Sequence, residues 1–113
     1  SYQTTAPARA MTAGESPLVT IRFDKPNVNY EPALYAAIKS ALDRRPSATF
    51  DVVAVSPVGN TPGAQALAAT NAKRNADAVL RSLTNMNLPA SRVRTSSTTS
   101  PAVAGGEVQV FVR

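Results

Sequence analysis

The side chains able to do chemistry in this chain are few, and their types exclude more than they allow. There is no cysteine and no histidine among its 113 residues. Without a thiol there is no disulfide scaffold, no thiolate metal site and no cysteine nucleophile. Without an imidazole the commonest general base and the commonest transition-metal ligand are missing. Serine–histidine catalysis and zinc hydrolysis are thereby nearly closed. A serine–lysine arrangement finds no support in the spacing. Asp24, Glu31 and Asp43 lack the spacing of a calcium loop. Gly59 and Gly63 are not followed by the Gly-Lys-Ser/Thr ending of a phosphate loop. The chain is therefore expected not to be an enzyme and to need no cofactor or metal.

The remaining candidates are polar and basic. Thr61-Pro62-Gly63 opens a helix whose free N–H groups could hold an anion, although a capped helix start accounts for the same residues. Asn60, Thr61, Asn71 and Asn75 could form a polar pocket at that end of the fold, or simply a solvated helix face. Arg92 and Arg94 flank Val93 on an expected strand, where both would face solvent. Tyr30 and Tyr35 fit partial core packing better than a stacking platform. The formal net charge is +5, which suits anionic partners such as nucleic acid, acidic lipid or an acidic wall polymer. The basic residues are scattered, however, with Arg44-Arg45, Lys73-Arg74 and Arg92-Arg94 the closest pairs. Such scatter is not a nucleic-acid footprint.

These side chains need a scaffold, and the pattern supplies one domain's worth. Residues 1–16 are rich in Thr, Ala, Ser and Gly and read as a flexible tether, leaving 17–113 as the domain. An anchor or signal peptide would lie upstream of it. No apolar run is long enough to span a membrane. The first strand is expected over 18–23, closed by Pro26. A helix follows over 30–44, with Asn29 as its cap and Leu34, Ile38 and Leu42 on its apolar face. A second strand is expected over 49–56, its nearly all-apolar stretch 50–55 suiting burial on both faces.

Thr61 and Pro62 start a second helix running to about residue 85, with a possible break in its first turns. Asn87 suits the left-handed residue that closes it, with Leu88 folding back and Pro89 preventing continuation. A short strand over 92–95, a loop over 96–106 and a last strand over 107–113 complete the chain. The expected fold is α/β in the broad sense. It is an α+β two-layer sandwich, β-α-β-α-β-β, with two helices on one face of a four-stranded sheet and a closing β-hairpin.

This order, with several residues, resembles the OmpA-like domain found in outer-membrane protein A, the peptidoglycan-associated lipoprotein and flagellar stator proteins. The matching stretches are Ile21-Arg22-Phe23-Asp24, Tyr30-Glu31-Pro32-Ala33-Leu34 and, above all, the helix Arg74-Asn75-Ala76-Asp77-Ala78-Val79-Leu80-Arg81-Ser82-Leu83. Asn87-Leu88-Pro89-Ala90 follows, where the family usually has Gly-Ile-Pro-Ala. The likeness covers residues 18–113.

The resemblance implies a periplasmic or cell-envelope domain of a Gram-negative bacterium that binds peptidoglycan without covalent chemistry. In the family an aspartate after the second strand engages an ammonium group of the peptide stem. An arginine of the second helix holds its carboxylate, a match of fork to fork. Here the first position reads Val58, and no acid lies between Asp51 and Asp77. The second falls on Asn75, with Arg74 one residue earlier and about 100° around the helix, pointing elsewhere.

The leading expectation is therefore an envelope module that has lost the diaminopimelate-binding pair. It would act as a structural or protein-interaction unit in a lipoprotein, secretion or motility assembly. Its partners would be other envelope proteins, with the membrane reached only through an upstream anchor. The alternative is a working peptidoglycan anchor in which Arg74, Asn75 and Asn60 replace the usual pair. A basic nucleic-acid-binding sandwich is the third reading, and exposed aromatics for base stacking are too few to favour it.

Overall fold

The computed structural model describes residues 16–25 and 27–113. The tether expected over 1–16 thus lies outside the described residues except for Ser16, as does Pro26. The elements are β1 (Val19–Phe23), α1 (Glu31–Arg44), β2 (Phe50–Ser56), α2 (Pro62–Asn85), a 3-10 turn (Ala90–Arg92), β3 (Val93–Thr99) and β4 (Gly106–Val112). They form an α+β two-layer sandwich: one mixed four-stranded sheet with both helices against one face.

The strand order is β1-β4-β2-β3. β4 runs antiparallel to both neighbours, with Ile21 opposite Val108 and Val52 opposite Val110. β3 runs parallel to β2, with Val52 opposite Thr95. The expected closing hairpin is thus corrected, because β3 and β4 are consecutive but not paired. Apolar content explains the exchange. β4 offers Val108 and Val110 to the helix side and Phe111 to the other, and all three are buried. β3 reads Val-Arg-Thr-Ser-Ser-Thr-Thr and has little to bury. The apolar strand takes the interior and the polar one an edge, which water can cover. β3 also runs to Thr99, where a loop is expected from residue 96. Polar side chains alone did not stop a strand whose backbone finds a parallel partner.

The core lies between sheet and helices. Leu34, Ile38 and Ala41 of α1 and Ala72, Ala76, Val79 and Leu83 of α2 pack on Ile21, Phe50, Val52, Ala54, Val108 and Val110. On the opposite face Val53, Val55 and Phe111 form a small second cluster, against which Val103 of the β3–β4 connection packs.

The helix ends follow sequence closely, with one exception. Asn29 does not cap α1; Tyr30 stands at that position without a side-chain cap bond. Its carbonyl accepts from Leu34 N–H at 2.9 Å. Pro32 in the first turn removes a donor that would otherwise need a partner. α2 is continuous, with no break. Thr61 Oγ1 accepts from the Ala64 N–H at 3.1 Å, as a cap should. Thr61→Ala is expected to cost about 1 kcal/mol, read as a lower urea midpoint at unchanged slope.

At the other end Asn87 has φ 73°. Leu88 N–H donates to Leu83 O at 3.1 Å and Asn87 N–H to Thr84 O at 3.0 Å, the double closure of a Schellman motif. Leu88 is folded back into the core.

The two helices are also joined by polar groups. Ser82 is buried, and its Oγ donates to Glu31 Oε2 at 2.8 Å. Tyr30 Oη lies 3.1 Å from the same Oγ. This contact fixes the start of α1 against the last turns of α2 and satisfies a hydroxyl that would otherwise be costly to bury.

Candidate functional site

β1 and β2 end, and β4 begins, at the same end of the sheet. The first half of α2 projects past that end, so its residues are mostly exposed rather than seated on strands. Between them lies an open cleft of about 590 Å³. Part of the lining is apolar: Phe23 and Pro57 from the strand ends, with Ala64, Leu67 and Ala68 from α2. Leu67 is 62% exposed, which is unusual for a leucine on a helix with a packed face. The rest is more polar. Asn71, Arg74 and Asn75 come from successive turns of α2, and Asp24 comes from the residue that ends β1.

The floor is made by Gly105-Gly106, where the chain enters β4. A Cβ at Gly106 would lie 3.0 Å from Asn75 Nδ2, so glycine lets the helix carboxamide sit against the strand. The turn from β2 into α2 is equally close. The Gly59 N–H donates to Gln65 Oε1 at 2.8 Å. A Cβ at Gly59 would meet Gln65 N at 2.5 Å. This contact sets the angle at which α2 leaves the sheet and hence the width of the cleft.

The residues singled out from sequence divide into two groups. Asn71, Arg74 and Asn75 line the cleft together. Val58, Asn60 and Thr61 do not line it. Val58 is 55% exposed, Asn60 is exposed, and the Thr61 hydroxyl is taken up by the helix cap. The expectation that Arg74 points away from the site of Asn75 is corrected: the cleft is wide enough to take both. Asp24 is the residue that site reasoning missed. In the sequence Asp24 stands only as a rejected calcium ligand and as the end of the Ile21-Arg22-Phe23-Asp24 match, because the resemblance puts the acid after the second strand. Its place one residue past the apolar alternation of β1 is the signal that could have found it.

Other candidates are placed elsewhere. Arg92 does not face solvent on a strand. It sits in the 3-10 turn, and its Nη1 donates to Pro46 O at 2.9 Å and Ala48 O at 3.1 Å. Arg113 pairs with Asp51 at 2.7 Å, Lys39 with Asp43 at 3.3 Å, and Arg22 with Glu107 at 3.7 Å. Burial, and then the neighbouring Glu31 carboxylate, hold the Tyr35 phenol above its ordinary value. It therefore stays protonated at neutral pH.

Among the described residues no three of His, Cys, Asp or Glu gather to hold a metal ion. No described helix is long and apolar enough to cross a membrane. No family model matches the chain, and no curated protein matches it.

The cleft can thus offer a guanidinium, a carboxylate, two carboxamides and an apolar lining to one small group. It brings no evident nucleophile and base together. Such a set suits recognition of a molecule that is polar at its ends and aliphatic between them.

Proposed function

We propose that this chain is a non-catalytic binding domain of the bacterial cell envelope, of the OmpA-like kind, whose cleft holds the peptide stem of peptidoglycan. The observation that carries this reading is the lining of the cleft, which gathers Arg74 with Asn71 and with Asn75, the position on which the family's stem-binding arginine falls by spacing. The order β-α-β-α-β-β and the two-layer architecture support it as well. An arginine fork reads a carboxylate in two parallel bonds. Leu67, Ala64 and Ala68 offer an aliphatic chain a dry surface beside it. In this reading the family's arginine is replaced in function by Arg74, one position earlier in the helix.

The test is co-sedimentation of the whole chain with purified sacculi over a range of concentrations. Saturable retention that falls severalfold in Arg74→Gln is the expected result. Retention equal in the two proteins would overturn the reading.

A second reading, a protein-interaction module of the envelope, is favoured by one observation. Val58, in the β2–α2 turn, and Leu67, in the second turn of α2, are the large hydrophobics left exposed among the described residues. Under it, sacculi retain neither protein, and Leu67→Asp weakens capture of an envelope partner. The nucleic-acid reading gains nothing from the placement of charge. Arg22, Lys39 and Arg113 face carboxylates, and Arg92 is engaged with backbone carbonyls.

A further inference from the structure

We propose that the end of the domain opposite the cleft is a basic surface that docks on an acidic phospholipid bilayer. β1, β2 and β3 begin at that end and β4 finishes there, since Val19 stands opposite Val110 and Phe50 stands between Val93 and Val112. Arginines reach it from three separate stretches of chain. Arg44 and Arg45 close α1, Arg92 and Arg94 bracket the start of β3, and Arg113 follows β4. Contacts tie these stretches together. Arg92 Nη1 donates to Pro46 O at 2.9 Å and to Ala48 O at 3.1 Å, just past Arg45. Arg94 is in register with Asp51, which Arg113 meets at 2.7 Å. Residues that are scattered in the sequence thus share one end of the fold.

Most of this charge is not cancelled. Asp51 balances Arg113, and the neighbouring Asp43 is paired with Lys39. Arg44, Arg45, Arg92 and Arg94 form no ion pair among the described residues. Arg44, Arg45 and Arg94 are exposed, and Arg92 is half-buried. Arg44 and Arg45 also complement the negative end of α1, but that end offsets only about half a unit of charge. Charges elsewhere in the chain nearly cancel, so most of the formal net charge of +5 gathers here.

The surroundings of the arginines select the partner. They do not line the cleft, and their spread over an exposed end suits an extended anionic surface better than one small anion. A protein partner needs an apolar centre to its interface. The exposed large hydrophobics, Val58 and Leu67, belong instead to the end that carries the cleft. No aromatic side chain among the described residues is exposed, so single-stranded bases find no stacking platform. A bilayer of acidic lipid needs neither feature: basic side chains near its phosphates suffice, each adding its own share. A guanidinium is also well matched to phosphate. The described chain enters the domain at this same end, where Leu18 N–H donates to Val110 O just ahead of β1. Docked in this way, the domain turns its cleft away from the bilayer. Docking is independent of what the cleft holds.

The test is co-sedimentation of the whole chain with phosphatidylcholine vesicles, either pure or containing about one-third phosphatidylglycerol. Binding is expected only with the acidic lipid, and it weakens steeply as salt rises to about 0.15 M. Arg45→Gln combined with Arg94→Gln lowers the partition constant about 25-fold, about fivefold for each charge removed. Arg45→Lys combined with Arg94→Lys keeps most of the binding. Lys25→Gln combined with Lys73→Gln removes as much charge elsewhere and lowers binding less than about twofold, because those positions are screened from the bilayer. All four positions are exposed, so the variants keep the native circular dichroism spectrum.

No binding to acidic vesicles at low salt, or an equal loss in the two glutamine pairs, would overturn the assignment. A short DNA duplex titrated at the same salt is the rival partner. If the duplex binds more tightly than the vesicles and depends on Arg45 and Arg94, this end is a nucleic-acid surface and lipid docking is overturned. Sacculus retention and its dependence on Arg74 are read separately, so either result can fail without the other.

Discussion

Truncating Phe50 to alanine is expected to lower the unfolding free energy by about 3–5 kcal/mol. Phe50 is the largest fully buried side chain, with 0% exposure. It opens β2 with Val112 opposite on one side and Val93 on the other. Its ring lies in the core shared by sheet and helices. Domains of this size have about 5–15 kcal/mol in total, so the variant sits near the edge of folding. Urea titration followed by far-UV circular dichroism reads the change as a lower midpoint at an unchanged slope. Leu67→Ala is the control, because a side chain left in water loses little. A loss below about 1 kcal/mol for Phe50→Ala would place that ring outside the core.

Gly59→Ala is the second large effect, and it reaches the cleft as well as the fold. The added methyl would stand 2.5 Å from Gln65 N and 2.8 Å from Gln65 Cα. These are backbone atoms in the first turn of a helix, so they cannot turn aside as a flexible side chain would. Gln65 N–H is itself bonded to Thr61 O at 2.9 Å. Relief requires the start of α2 to move off β2, which strains the Thr61 cap and the Gly59–Gln65 bond together. The expected cost is about 2–3 kcal/mol, in the upper range for overpacking. The same movement carries Ala64, Leu67 and Ala68 with it, so sacculus retention should fall although no residue of the polar lining has changed. Urea titration and co-sedimentation of one variant check both parts. Unchanged stability together with unchanged retention would show that the β2–α2 turn is looser than its contacts imply.

The fold was legible wherever one residue type has one physical use. Thr61-Pro62 could only open a helix, and Asn87-Leu88-Pro89 could only close one; the cap and the Schellman closure are where the residues put them. The apolar run 50–55 required a strand covered on both sides, and β2 lies between β3 and β4. Pairing was less legible. Adjacency in sequence favoured a β3–β4 hairpin, whereas burial favoured Val108, Val110 and Phe111 in the interior. The decision belonged to the whole sheet, not to either strand. The site was legible by halves. Helical spacing alone brings Asn71, Arg74 and Asn75 near one another. Asp24 joins them only when β1 and α2 are set side by side, across about fifty positions of sequence.

The position of β4 has a consequence for how the molecule is made. The last strand of the chain stands between the first two, bonded to both β1 and β2. Until the ribosome has released residues 106–112, β1 has no neighbour and β2 has only the polar β3. Pairing residue 21 with residue 108 also demands closure of nearly the whole chain before any reward arrives. Assembly of this sheet therefore waits until β4 has been made. The emerging chain has to travel with its apolar strands unpaired, in the condition most exposed to aggregation and to capture by chaperones.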